Sequence, residues 1–177
     1  WYKRTVINTT IGIFQFGDDA SGDYLAVRWT SEANGSLETY RSKISGTSVN
    51  IGNTNGAVKD TSAWYHMVIA IDTTQATATN RFRVYRNGEE LAFSTDNRSS
   101  ITQNSNMAIG ENGKDILIGE GVYKFNGYIA EVNYVDGQQL SSTDFGEYDS
   151  DSGIWIPKKY TGTYGNNGFY LDFKNAS

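Results

Sequence analysis

The stretch from Arg81 to Phe93 constrains this chain more than any other. Phe82 and Val84 alternate with Arg81, Arg83 and Tyr85, the dipeptide Asn87-Gly88 follows, and Leu91 and Phe93 alternate again beyond it. A side chain that changes face at every residue marks a half-buried strand. Asn-Gly is the pair best able to adopt the two positive φ angles of a type I′ turn. The segment therefore reads as an antiparallel hairpin closed at Asn87-Gly88. A lone hairpin is barely stable in water, so its apolar face must be covered by more structure.

The remainder of the chain supplies strands for that purpose. Ile11 to Phe16 is apolar and ends at Gly17, and Tyr24 to Thr30 places Leu25, Val27 and Trp29 on one face. Ser36 to Ile44 follows an Asn34-Gly35 turn, and Asp115 to Gly119, Tyr128 to Val135 and Phe169 to Phe173 come later. Phe169, Leu171 and Phe173 are expected to face inward together. Trp64 to Ile71 is apolar on both faces, as in a central strand, so burial on both sides is expected, His66 included. No segment keeps a helical period over three turns. With 19 glycines and one proline in 177 residues, turns fall to Asn-Gly and Ser/Thr clusters. Many short strands without helices imply two antiparallel sheets packed as a sandwich, in a length that suits one domain over residues 1–177.

Two polar stretches lack such patterning, Thr95 to Met107 and Gly137 to Asn167. The second carries Phe145, Tyr148, Trp155, Tyr160 and Tyr164. It is expected to be ordered across the sandwich, because a loop of that length in a compact domain is either functional or packed by its own side chains. The opening Trp1-Tyr2-Lys3-Arg4 reads as the middle of a strand, so residues before Trp1 are expected in a parent protein.

The net charge is −5 and no basic run is present, which disfavours nucleic acid as a partner because phosphate contacts need clustered Lys and Arg. The absence of cysteine rules out disulfides, thiolate metal sites and a Cys nucleophile. The longest apolar run, Met67 to Ile71, is too short to cross a bilayer as a helix.

Ser62-Ala63-Trp64-Tyr65-His66, the run from Val68 to Asp72 and the Arg81–Gly88 stretch resemble the laminin-G-like branch of the concanavalin A-like jelly roll. A longer string is more particular. Phe125-Asn126-Gly127-Tyr128-Ile129-Ala130-Glu131-Val132 leads through Asp136-Gly137-Gln138 and Asp144-Phe145-Gly146-Glu147 to Trp155-Ile156-Pro157-Lys158. Tyr160 to Gly165 and Asn167 to Leu171 close it. This string resembles the jelly-roll domains of structural proteins from tailed bacteriophages, marine ones especially, and from some large viruses. The resemblance implies an extracellular virion location and a non-catalytic structural or adhesion role, as fibre, appendage or capsid decoration. The implied partners are other virion proteins and cell-surface glycans, and self-association into a homo-oligomer is expected by analogy. A secreted cellular lectin and a glycoside hydrolase of the same fold are the alternatives.

Glycosidases of this fold carry Glu-x-Asp-x-x-Glu on one strand, because two carboxylates must flank the sugar bond. Here the string reads Glu131-Val132-Asn133-Tyr134-Val135-Asp136. The middle position cannot ionise and the last reads as a turn residue, so no catalytic residue is assigned. Calcium prefers clustered oxygen ligands. The Gly17–Asp23 connection, with Asp18, Asp19 and Asp23, is the candidate metal loop, ahead of Glu147–Asp151. His66, the only histidine, has no second histidine for zinc and reads as a core residue. Trp155, Tyr160 and Tyr164 are the candidate ligand-binding rings, since sugars stack on flat aromatic faces. The competing role for the same rings is to pin the long connection onto the sheet.

Overall fold

The computed structural model describes residues 1–17, 24–30, 37–44, 47–107, 109–110, 113–121 and 123–174, and for 37–44 and 47–49 it describes the backbone alone. In chain order the strands are β1 (Tyr2–Arg4), β2 (Ile11–Phe16), β3 (Leu25–Trp29), β4 (Leu37–Ile44), β5 (Thr47–Val49), β6 (Gly52–Thr54), β7 (Met67–Ile71) and β8 (Phe82–Arg86). They continue with β9 (Glu89–Glu90), β10 (Phe93–Asp96), β11 (Ile116–Ile118), β12 (Gly127–Ile129), β13 (Val132–Tyr134), β14 (Gly146–Tyr148), β15 (Trp155–Pro157) and β16 (Phe169–Leu171). Among the described residues the helical segments are short 3-10 turns, and no helix is long and apolar enough to cross a membrane.

One sheet runs β10-β6-β4-β3-β2-β11, with β5 on the side of β4. The other is built on β7-β8-β9, to which β1 is joined by the Tyr2–Tyr65 bridge, and β1 in turn pairs with β12. Beyond Glu131 the chain continues as β13, which pairs with β16. All pairs are antiparallel. The core lies where the inner faces meet: Ile11, Ile13, Leu25, Val27 and Trp29 from the first sheet, Tyr2, Phe82 and Val84 from the second, with Tyr65, Met67, Ile69 and Ile71 packed against them. The expected all-β sandwich is present, and its alternation is clearest in β3, where Leu25, Val27 and Trp29 are buried between half-buried Ala26 and Arg28.

The hairpin forms as its pattern requires. Tyr85 pairs with Glu90 and Arg86 with Glu89, leaving Asn87 (φ +49°) and Gly88 (φ +93°) as the two-residue turn. Its return strand is shorter than the alternation suggests. Leu91 still donates its N–H to the Val84 carbonyl at 2.8 Å, but Phe93 has crossed to the first sheet, where it pairs with Thr54. Phe93 remains useful to the hairpin from there, its ring 6.4 Å from that of Phe82, edge to face.

Buried arginines, not apolar periodicity, organise the polar connections. Arg81 donates to the Gln75, Ala76 and Ile101 carbonyls. Arg98 pairs with Asp96 at 2.6 Å, donates to the Thr79 and Phe82 carbonyls, and lies 4.2 Å above the Phe93 ring. Together they fix the Thr95–Met107 connection, whose Ile101 is fully buried.

Three strand expectations need correction. The Trp64–Ile71 strand starts at Met67; His66 and Ala70 are buried, Val68 and Ile69 half-buried, and Trp64 is 43% exposed. Its outer face is covered only where the C-terminal segment reaches it, and Trp64 lies beyond that cover. The Tyr128–Val135 strand breaks at Ala130-Glu131, where Glu131 adopts φ +51°, a left-handed conformation that an L-residue adopts at a cost. Phe169 is half-buried, but Leu171 and Phe173 are exposed, and Phe173 ends the run at φ +53°. Gly137–Asn167, unpatterned in sequence, contains the β14–β15 hairpin, with Tyr148 opposite Trp155.

Phe82→Ala is expected to cost about 3–5 kcal/mol in urea denaturation, from lost burial and a residual cavity. Phe173→Ala should stay within about 0.5 kcal/mol. Equal losses would contradict this placement of the core.

Candidate functional site

The outer face of the second sheet carries an aromatic surface that follows from strand alternation. Tyr2 points inward, its ring 4.6 Å from that of Trp29 and 5.6 Å from that of Tyr65. Its neighbours Trp1 and Lys3 must then point outward. Lys3 is in register with Tyr128, and Trp64 directly precedes Tyr65, the bridge partner of Tyr2. The Trp64 and Tyr128 rings lie 6.5 Å apart, and Tyr128 is 59% exposed. One row further along the sheet, Trp1 stacks on His66 at 4.8 Å, His66 lies 5.9 Å from Trp155, and Trp155 meets Tyr148 edge to face at 4.9 Å.

The two halves of this surface differ in what covers them. The β14–β15 hairpin lies over His66. There the Trp155 indole N–H donates to His66 Nδ1 at 3.0 Å, and Trp155 is only 8% exposed. Two glycines make room for the indole: a Cβ on Gly146 would approach it to 2.5 Å, and one on Gly88 to 2.8 Å. Asn87 ties the hairpin turn to the same strand, its Oδ1 accepting the His66 N–H at 2.8 Å and its own N–H donating to the His66 carbonyl at 3.0 Å. The Ser142 hydroxyl donates to the Gly88 carbonyl at 2.9 Å. Trp64 and Tyr128 lie outside this cover and face solvent.

His66 must be neutral in this setting, with its proton on Nε2, because Nδ1 accepts. Burial pushes its pKa down to about 3.

The candidate ligand-binding rings fall into two groups. Trp155 belongs to the His66 staple. Tyr160 and Tyr164 meet edge to face at 5.2 Å, and Tyr160 also packs on Phe145 at 5.1 Å. The Tyr164 hydroxyl donates to Asn133 Oδ1 at 2.7 Å. Sequence reasoning missed Trp64 and Tyr128. The signal was available in Tyr128, which alternates against Ile129, but Trp64 was masked by the apolar run that follows it.

The acidic string on β13 is taken up in local bonds. The Tyr170 hydroxyl donates to the Glu131 carboxylate, Asn133 accepts from Tyr164, and Asp136 accepts from the backbone and side-chain N–H groups of Asn167 at 3.3 and 3.1 Å. In the Glu147–Asp151 loop, Asp149 accepts from the Ser152 hydroxyl at 2.7 Å and from its backbone N–H at 2.8 Å, which holds its carboxyl below the usual range. Asp18, Asp19 and Asp23 lie outside the described residues. Among the described residues no three His, Cys, Asp or Glu side chains converge as a metal site would require.

A family model described as the concanavalin A-like lectin/glucanases superfamily matches residues 1–144. No curated protein and no solved structure matches the chain. The match ends before β14, so the hairpin that carries Trp155 lies beyond it.

The ring resonances of His66 should not titrate above about pH 4, and its nitrogen shifts should report the Nε2–H tautomer. Because the folded pKa lies below the unfolded one, the unfolded chain binds the extra proton. Stability is therefore complete above the unfolded value near 6.5 and falls as pH drops from there toward 3. A His66 titration midpoint near 6.5 would contradict the staple. Trp155→Phe removes the donor and leaves a buried acceptor unpaired, with an expected loss of about 1–3 kcal/mol.

Proposed function

The chain belongs to the concanavalin A-like lectin/glucanases superfamily, and on that premise we propose that it is a non-catalytic recognition module that binds glycans on the outer face of its second sheet. The observation that carries this reading is the pair of solvent-facing rings, Trp64 and Tyr128, set side by side with Lys3 in register between them. The C–H faces of a pyranose stack on such rings, and polar groups at the rim then orient the hydroxyls. Lys3 offers a donor. The Asp60 carboxylate, held below its usual range chiefly by the Ser62 hydroxyl and backbone N–H, offers an ionised acceptor at the same edge.

The non-catalytic part rests on the acids. Glu131 and Asp136 are engaged by Tyr170 and Asn167, and the position between them is Asn133. A retaining or inverting mechanism needs two free carboxyl groups flanking one bond. Domains of the laminin G type are generally without catalytic activity, in keeping with this.

The setting we propose is the surface of a virion, supported by the likeness of the Phe125–Leu171 string to viral jelly-roll domains. Other virion proteins would be the neighbours, and the array would be homo-oligomeric. A shallow two-ring platform binds weakly alone, and repetition raises avidity without new contacts.

A glycan array probed with the protein should return a restricted set of saccharides. Trp64→Ala and Tyr128→Ala should each weaken the best responder about tenfold or more, while Tyr160→Ala should leave it within about twofold. No saccharide bound, or unchanged binding in both platform variants, would overturn the platform. Hydrolysis of a polysaccharide that disappears in Glu131→Gln would overturn the non-catalytic reading.

A further inference from the structure

The Trp64–Tyr128 platform is built around a third side chain. The Tyr2–Tyr65 bridge places Lys3 beside Trp64, and strand register places it opposite Tyr128. Lys3 therefore occupies the middle of three lanes, on the outward face that alternation gives it next to inward-facing Tyr2. Side chains that flank a central strand start about 10 Å apart, twice the spacing between strands. The Trp64 and Tyr128 ring centroids are only 6.5 Å apart, so the two rings lean toward each other across the lysine's lane. Both rings are exposed, while Lys3 is half-buried. A lysine held in this way lays its aliphatic stem along apolar surface and keeps its ammonium at the water boundary.

The charge of that lysine is not matched within the protein. Residues 2–5, 59–64 and 126–129 build the platform, and their charged side chains are Lys3, Arg4, Lys59 and Asp60. That is a local excess of positive charge in a chain whose net charge is −5. Arg4 is fully buried, and its partners are the Ile7 and Val58 carbonyls and the Trp29 ring, none of which cancels its charge. Asp60 is turned to Ser62, whose hydroxyl and N–H donate to its Oδ1 at 2.6 and 2.7 Å. Those two bonds hold the Asp60 carboxyl below its usual range, and Lys3 is the weakest influence on it. Among the described residues no carboxylate lies within ion-pair distance of the Lys3 ammonium.

A saccharide seated on both rings covers the lane between them and takes the Lys3 ammonium partly out of water. Covering a charge is costly unless an opposite charge replaces the lost hydration. The protein supplies no such charge at Lys3, so the ligand has to bring it. Resting on the glycan-binding reading above, we propose that the ligand is an acidic saccharide, a pyranose bearing a carboxylate or sulfate group. Its C–H face stacks on Trp64 and Tyr128 while its anionic group meets Lys3, which makes Lys3 the specificity-determining residue of the platform. The resulting N⁺–H···O⁻ bond is roughly twice as strong as one to a neutral hydroxyl. It acts at short range, because the chain as a whole is acidic and gives an anion no long-range attraction. Asp60 remains an acceptor for hydroxyl groups.

The test is an array on which uronate, sialate and sulfate-ester glycans each stand beside their carboxyl-reduced or desulfated forms. The best acidic responder and its neutral form are then titrated by calorimetry. The protein should prefer the acidic form about tenfold or more, as a charge-assisted bond requires. That preference should shrink as sodium chloride rises from about 50 to about 500 mM, because the pair is only partly shielded from solvent. Lys3→Gln should abolish the preference and Lys3→Arg should keep most of it, while Lys159→Gln, at an exposed lysine outside the platform, should leave it intact. Binding that needs Trp64 but shows no preference for the acidic form would overturn this inference and leave the platform standing. A preference that survives Lys3→Gln would do the same. Binding of acidic and neutral forms alike that ignores Trp64→Ala would overturn the platform itself.

Discussion

One buried hydrogen bond, from the Trp155 indole to His66 Nδ1, decides what the second sheet of this molecule presents to solvent. It joins residues far apart in sequence and closes the β14–β15 hairpin over half of an aromatic face. In a low-dielectric setting such a bond matters less for what it adds than for what its loss would leave, a buried acceptor without a donor. The bond also fixes a charge state. A protonated His66 could not accept from the indole, so the imidazole must stay neutral, and its burial keeps it so. The rings under the hairpin are held in structural contacts, and beyond it Trp64 and Tyr128 face solvent.

Beneath that face the sandwich is held by two different kinds of interaction. The apolar core between the sheets supplies the driving force, with Tyr2, Trp29, Phe82 and Val84 at its centre. Arginines then fix the connections. Arg4 is fully buried, 5.5 Å from the Trp29 ring and donating to the Ile7 and Val58 carbonyls, while Arg81 and Arg98 perform the same service at the opposite end of β8. A guanidinium can satisfy several loop carbonyls at once, which is how a chain rich in Ser, Thr and Asn holds long connections without apolar patterning.

The two-sheet architecture was legible in the sequence because strand alternation and the Asn87-Gly88 turn are local properties. Leu25, Val27 and Trp29 face inward as their spacing requires, and the hairpin closes where both positive φ angles are tolerated. What stayed hidden depends on contacts between distant segments. The crossing of Phe93 to the other sheet, the break at Glu131 and the exposure of Leu171 and Phe173 are set by which neighbour lies alongside, and no local pattern encodes it. Of the proposed platform, only the residue type was legible: aromatic rings stood out, but whether a ring is covered or open depends on the reach of the hairpin, so Trp155 drew attention in sequence while Trp64 was hidden in an apolar run.

The most direct test of this division uses the indole N–H signals of the four tryptophans, assigned by substitution and followed by NMR as the best glycan from an array is added. The account predicts that the Trp64 signal moves in a saturable way, while those of Trp155 and buried Trp29 stay in place and exchange slowly with solvent. A Trp155 signal that exchanges freely or shifts with ligand while Trp64 is unmoved would contradict it, because the staple and the recognition surface would then have been assigned to the wrong rings.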